Sequence, residues 1–132
     1  MDYFERMQTR VALLRAIRRF FEERDFTEVD TPVALSAPAP ELHIEAPRVD
    51  LTLRDGRTER FLQTSPELPM KRLLARGFER IFQVAPTFRD GDESPLHRPE
   101  FRMLEWYRRG SSWTSLVEDC EALLVACAQA VG

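Results

Sequence analysis

The chain has 132 residues, of which 43% are hydrophobic, 31% charged and 10% aromatic; this length supports one hydrophobic core, or part of one, and is too short for two substantial domains. No stretch approaches the roughly 20 consecutive apolar residues of a membrane span, and Met1 to Arg10 carry charges of both signs with no apolar run, against an ordinary secretory signal. The formal net charge of -3 argues against a broad, sequence-independent nucleic-acid surface, which needs a basic excess, so the expectation is a soluble, cytoplasmic protein with no membrane partner.

Along residues 3–24, Val11, Leu14, Ile17 and Phe21 recur at helical spacing, with Arg10, Arg15, Arg18 and Arg19 on the other faces. This predicts a long amphipathic helix that breaks at Asp25. Phe26 to Pro32 follows as a short strand ended by a proline, which cannot donate to a ladder. The short Pro-rich stretch from Pro38 to Pro47 marks a loop, and with no internal repeat no domain boundary is placed inside the chain. Val49, Leu51 and Leu53 then alternate with polar residues, Asp55-Gly56 offers a turn, and Arg57 to Gln63 returns, predicting a hairpin.

Ser65-Pro66-Glu67 reads as an N-cap, a proline at the first helical position and an acidic first turn, opening a helix that Gly77 closes. Pro69 comes late enough to strain that first turn. Two strand-like segments, Arg80 to Arg89 and Glu100 to Arg109, are joined by the polar loop Asp90 to Pro99. A last helix is expected from Thr114 or Ser115, with Ser115 and Glu118 as a capping box and Leu116, Cys120, Leu123, Leu124 and Cys127 as its apolar stripe. Its two cysteines, about two turns or roughly 10 Å apart, cannot bridge within one helix, and they read as buried thiols rather than metal ligands. The element order is α+β rather than a βαβ repeat.

Side chains alternate across a strand, so Phe101, Met103, Glu105 and Tyr107 share one face. A carboxylate between Met and Tyr is costly to bury unpaired. Either Glu105 lies exposed or pairs with an arginine, or Phe101, Glu105 and Tyr107 line a pocket with a ring for a base, a carboxylate for an ammonium and a phenol to complete it. Arg89 would stand beside this face if the loop folds back, its planar fork suited to phosphate or carboxylate oxygens; as a lone strand-end arginine it would be a surface residue. His97 alone would be a solvated loop histidine, and His43 has no evident partner.

Phe88-Arg89, His97, Pro99-Glu100-Phe101 and Met103-Leu104-Glu105-Trp106-Tyr107, in that order, resemble motif 2 of class II aminoacyl-tRNA synthetases in its lysine-activating form. Thr64 to Leu68 and Lys71 to Leu74 are similar to the helix just before motif 2, and the first helix with Phe26 to Pro32 is similar to motif 1, the family's dimer interface. The resemblance therefore covers nearly the whole chain, with motif 1 at about 3–33 and motif 2 at about 80–109. It implies an antiparallel sheet flanked by helices and a homodimer formed through motif 1. The glycine-rich motif 3 and the principal Mg²⁺ ligands are expected outside residues 1–132, which would make this the N-terminal half of a catalytic domain, inactive alone.

Carried over by position, the resemblance implies that Arg89 contacts the α-phosphate of ATP and the amino-acid carboxylate, that Phe101 stacks on adenine and that His97 holds the outer phosphates. Glu67 would hold the α-amine, and Glu105 with Tyr107 the distal ammonium. Within the family, Trp106 between Glu105 and Tyr107 looks most like the lysyl-tRNA synthetase paralogues that attach a lysine-type residue to elongation factor P. Those paralogues lack the preceding anticodon-binding barrel, and the acidic charge suits a protein acceptor better than tRNA. The rival readings are a lysyl-tRNA synthetase fragment charging tRNA(Lys) and a non-catalytic dimerising or ligand-binding module. The chain departs from the lysine-type pattern at Arg89-Asp90-Gly91, followed by Asp92 and Glu93, where Arg-Asn-Glu is usual, and at Arg98, where an asparagine is usual.

Overall fold

A computed structural model describes residues 1–91 and 94–132. The order is α1 (Tyr3–Glu22), β1 (Thr27–Glu28), β2 (Ala34–Leu35), β3 (Arg48–Leu53), β4 (Gly56–Leu62), α2 (Glu67–Ala75), β5 (Arg80–Phe88), β6 (Glu100–Arg108) and α3 (Trp113–Val131). Helices and sheets are mixed as an α+β chain requires. The fold divides into two compact units, Met1–Glu28 with Arg108–Gly132, and Val29–Tyr107.

The first unit is built on α1 and α3. Asp2 and Glu5 close a reciprocal capping box at the start of α1, so two otherwise unpaired amide donors are satisfied. The helix ends in a paired cap: Phe26 N–H donates to the Phe21 carbonyl at 3.0 Å and Asp25 N–H to that of Glu22 at 3.1 Å. Asp25 takes the left-handed conformation (φ 60) that this cap demands, which is why the helical pattern stops there. Ile17, Phe20, Phe21 and Phe26 are buried, with the Phe21 ring edge-on to both Phe20 and Phe26 at 5.1 Å. Val11, expected on the buried stripe, is 43% exposed, as are Tyr3, Phe4 and Met7 to similar or greater degree.

Several expectations for this unit are corrected, the buried Cys120 among them. The strand after α1 has two residues rather than the run Phe26 to Pro32. The last helix starts at Trp113, with Ser112 at the cap position, and Ser115 makes no capping box. Its buried residues are Asp119 and Leu123, whereas Leu116 and Leu124 are exposed, Cys120 is exposed and Cys127 half-buried. The helix is apolar over much of its circumference, so no single stripe stands out. Arg108 decides which side faces inward, by pairing with Asp119.

The second unit holds an antiparallel sheet in the order β2-β4-β3, and β5 beside β6. In the β3–β4 hairpin Leu53 pairs with Gly56, so the two-residue turn is Arg54-Asp55, one position earlier than expected; Gly56, at φ 121, is the first strand residue. Leu51 and Leu53 are exposed, so the alternation does not mark a buried face here. β5 buries Ile81, Phe82, Gln83, Ala85 and Thr87 on both of its faces, and Met70 of α2 is fully enclosed. Gln63 ties the end of β4 to the end of β5: its Nε2 donates to the Pro86 carbonyl at 2.7 Å and its own carbonyl accepts from Phe88 N–H at 3.0 Å. Pro69 strains nothing. As the third residue of α2 it falls among the first four, whose amides have no partner within the helix, and Met70 N–H makes the first helical bond, to the Pro66 carbonyl at 3.0 Å.

Candidate functional site

The candidate residues lie in the second unit, and β6 arranges them. Its period of two places Phe101, Glu105 and Tyr107 on one face, with Phe101 and Glu105 roughly 13 Å apart along the strand at about 3.3 Å per residue. The end of β5 is held beside the start of β6 by Arg89 N–H donating to the Pro99 carbonyl at 2.9 Å. This folds the loop back, and the Arg89 guanidinium carbon comes to 5.3 Å from the Phe101 ring centroid, a cation–π distance. Arg89 Nε is buried without a hydrogen-bond partner among the described residues. A buried donor of this kind fits an anion.

Four residues along β6 a second cluster forms. Glu105 is half-buried and both its oxygens are engaged: Ser65 Oγ donates to Oε1 at 2.5 Å and Tyr107 OH to Oε2 at 2.9 Å. Glu105 is therefore neither fully exposed nor seen with an arginine: its partners among the described residues are two hydroxyls, with no guanidinium. Burial, then the adjacent Glu105 carboxylate, which also accepts the phenol's hydrogen bond, and last the Glu67 carboxylate push the Tyr107 phenol well above its ordinary range. Tyr107 is therefore a neutral donor at any physiological pH.

Ser65 also accepts from Glu67 N–H at 3.0 Å, but the cap position of α2 falls on Pro66, one residue later than expected, and Glu67 is the first helical residue. Glu67, on the first turn, accepts from Lys71 Nζ, one turn on. Beside it lies a cavity of about 210 Å³, bounded by Ala39, Pro40 and Glu41 on one side and Thr64, Ser65 and Glu67 on the other. The Thr64 hydroxyl is buried there without a partner among the described residues. Thr64, although inside the segment that resembles the helix before motif 2, was given no role from sequence, and Glu41 was not singled out at all: the Pro-rich loop carrying Glu41 meets the 64–67 turn only in the folded chain.

Among the described residues no hydrogen bond brings His97 to either cluster. Its Nδ1 lies 2.8 Å from Ser94 Oγ and its N–H is held by Ser94 as well, on an exposed loop. The same loop is pinned at its start by Asp90 N–H donating to the Glu45 carbonyl at 2.9 Å. Asp92 and Glu93 lie outside the described residues. Among the described residues no group of three or more His, Cys, Asp or Glu is placed to hold a metal. No helix among them is long and apolar enough to cross a membrane.

Comparison with known proteins identifies the family of the chain. The family described as tRNA synthetases class II (D, K and N) matches residues 1–132, and the chain belongs to that family. Among relatives of known name, it is 41% identical over 123 residues to the elongation factor P--(R)-beta-lysine ligase of Vibrio campbellii, covering 91% of this chain and 38% of that protein. It is 40% identical over 111 residues to the elongation factor P--(R)-beta-lysine ligase homolog of Aquifex aeolicus, covering 84% of this chain and 38% of that protein. The chain thus spans less than two-fifths of the length of these relatives.

Proposed function

We propose that the protein to which this chain belongs activates lysine or β-lysine with ATP and transfers it to a lysine side chain of elongation factor P. The observation that carries this reading is Glu105, half-buried, with both oxygens held by hydroxyls and on the same strand face as Phe101. A fixed, partly desolvated carboxylate is suited to an ammonium. The names of the relatives support a lysine-type substrate and a protein acceptor.

In this reading the phosphate end of ATP lies at Arg89, whose buried Nε has a donor to spare, and adenine stacks on Phe101. The amino acid lies across the face toward Glu105 and Tyr107, with its other amine at Glu67 and its carboxylate at Arg89. His97, on the exposed loop, closes over the outer phosphates. The carboxylate of the amino acid attacks the α-phosphorus, the bond to the bridging oxygen breaks and pyrophosphate leaves; the acceptor amine then attacks the acyl carbon and AMP departs. No protein nucleophile is required. Alignment and charge neutralisation lower the barrier, and Arg89 supplies both. Mg²⁺ would be held by residues outside the described ones, and motif 3 is placed beyond residue 132. The exposed Tyr3, Phe4, Met7 and Val11 side of α1 supports a homodimer through motif 1, in a cytoplasmic enzyme.

The test is to incubate the complete protein with ATP, elongation factor P and lysine or β-lysine and weigh the acceptor. An added lysine-type residue is expected. Charging of tRNA(Lys) without modification of the acceptor would instead make the protein a lysyl-tRNA synthetase, and no ATP turnover with either would leave a non-catalytic module. Residues 1–132 alone are expected to catalyse no lysine-dependent ATP–pyrophosphate exchange.

A further inference from the structure

We propose that Lys71 is a site of self-acylation, its ε-amine taking the activated amino acid from the adenylate as an amide on Nζ. The inference rests on the function proposed above, since it takes the aminoacyl-adenylate as the donor and Glu67 as the residue that holds one of its amines.

Lys71 is the one lysine among the 19 lysines and arginines of the chain. The rest are arginines, which stay protonated and have no lone pair to offer an acyl carbon. The one lysine amine stands on Glu67, the carboxylate that borders the cavity of about 210 Å³, because Lys71 Nζ donates to Glu67 Oε1 from one turn further along α2. It belongs to the same chemical class as the acceptor proposed above. Its side chain is 53% exposed, and its four-carbon stem is flexible.

Lys71 holds Oε1. An amine of the bound amino acid on Oε2 would lie within about 8 Å of Nζ, since each charge-assisted bond is roughly 2.8 Å long. The acyl carbon of an α-amino acid is two bonds from its amine, roughly 2.5 Å, and a gap of this order is within the sweep of the lysine stem. Glu67 also gives the first proton a place to go. Nζ passes it to the carboxylate it touches, and the freed lone pair attacks the acyl carbon. The N–C bond forms, the bond from that carbon to the phosphate oxygen breaks, and AMP leaves with the electron pair. The second surplus proton on the nitrogen goes to solvent. The product amide is uncharged, so Glu67 loses its ion pair.

An ordinary helix-surface pair accounts for the contact, because a glutamate four residues before a lysine is favourable on any exposed helix, but it predicts no chemistry. The measurement is to incubate the complete protein with ATP, Mg²⁺ and radioactive lysine, without elongation factor P and beside a bystander protein, and to map the labelled peptides. Label is expected on Lys71 ahead of every other lysine of the protein, only when ATP is present, with the bystander unlabelled. In Lys71→Arg, which keeps a charge beside Glu67 but cannot accept an acyl group, incorporation should fall to the level seen without ATP. If that variant were inactive, the peptide map of the wild type would still decide. Labelling of the bystander, or of many lysines equally, would mean that released adenylate is reacting and would overturn the assignment. Lysine-dependent ATP–pyrophosphate exchange with no label on Lys71 would overturn it too, while leaving the function standing. A wild-type protein that neither exchanges nor takes up label would overturn the function and the inference together.

Discussion

Arg108 Nη1 lies 3.2 Å from both carboxylate oxygens of Asp119, where Asp119 is 7% exposed and Arg108 20%. The same guanidinium stands 5.7 Å from the Phe26 ring, so Arg108 serves both the second turn of α3 and the segment that follows the end of α1. Removing the acid strands a largely buried cation. Asp119→Ala is expected to cost about 2–3 kcal/mol, somewhat less than a fully buried pair because Arg108 keeps some solvent. Replacing both partners, as Arg108→Met with Asp119→Leu, should cost less than Asp119→Ala alone, since no charge is left unpaired. Urea unfolding of the three variants decides it; a double variant no more stable than the single would sink the explanation.

Tyr107 offers a prediction in alkali. Its phenol is held protonated in the fold, so between its ordinary value of about 10 and the higher folded value the unfolded chain loses a proton that the folded one keeps. The unfolded state binds fewer protons there, and stability falls as pH rises. The contribution is complete below about pH 10 and declines above it. In Tyr107→Phe that alkaline loss should be smaller. Absorbance at the phenolate band gives an independent check: folded wild type and Tyr107→Phe should titrate alike up to the pH of unfolding. A phenolate that disappears with Tyr107→Phe near the ordinary range would show the Glu105 pairing wrong.

Much of this was readable in order along the chain, and the failures have physical causes. α1 and its end at Asp25 were legible because caps and helical periodicity are local. So was the shared face of Phe101, Glu105 and Tyr107, because alternation follows from strand geometry alone. The hairpin turn was misplaced by one residue because Asp55-Gly56 is the stronger local turn signal, while the positive φ of Gly56 is used at the first strand residue. The stripe of α3 was misread because an apolar helix offers several faces, and the one that turns inward is chosen by Asp119, through a partner eleven residues earlier in the chain. The Ser65–Glu105 bond spans forty residues. Nothing in either segment announces it, although both segments were singled out.

The two cysteines should react unequally. Cys120 is exposed and Cys127 half-buried, and burial raises the Cys127 thiol above its ordinary pKa, leaving less of the nucleophilic thiolate. Iodoacetamide at mildly alkaline pH, followed by peptide mapping at short times, should therefore find the adduct on Cys120 first. Preferential labelling of Cys127 would mean that the side of α3 facing inward has been assigned wrongly.

The Arg89–Phe101 pair lets nucleotide binding and chemistry be separated. If Phe101 stacks on adenine and also holds the guanidinium at 5.3 Å, then Phe101→Leu keeps apolar volume but loses the ring face that both would use. KM for ATP should rise by about tenfold, given stacking of roughly 1–3 kcal/mol per base, while KM for the amino acid moves little. Arg89→Lys keeps a charge but not the planar fork, and a donor aimed at developing charge is worth roughly 2.7–4 kcal/mol. That variant should lose about 100- to 1,000-fold in kcat for lysine-dependent exchange, with KM for ATP less affected than in Phe101→Leu. The split is informative because a general loss of structure would depress both constants in both variants. A Phe101→Leu protein with unchanged KM for ATP would remove the ring from the nucleotide site and leave it only as the platform that steadies Arg89.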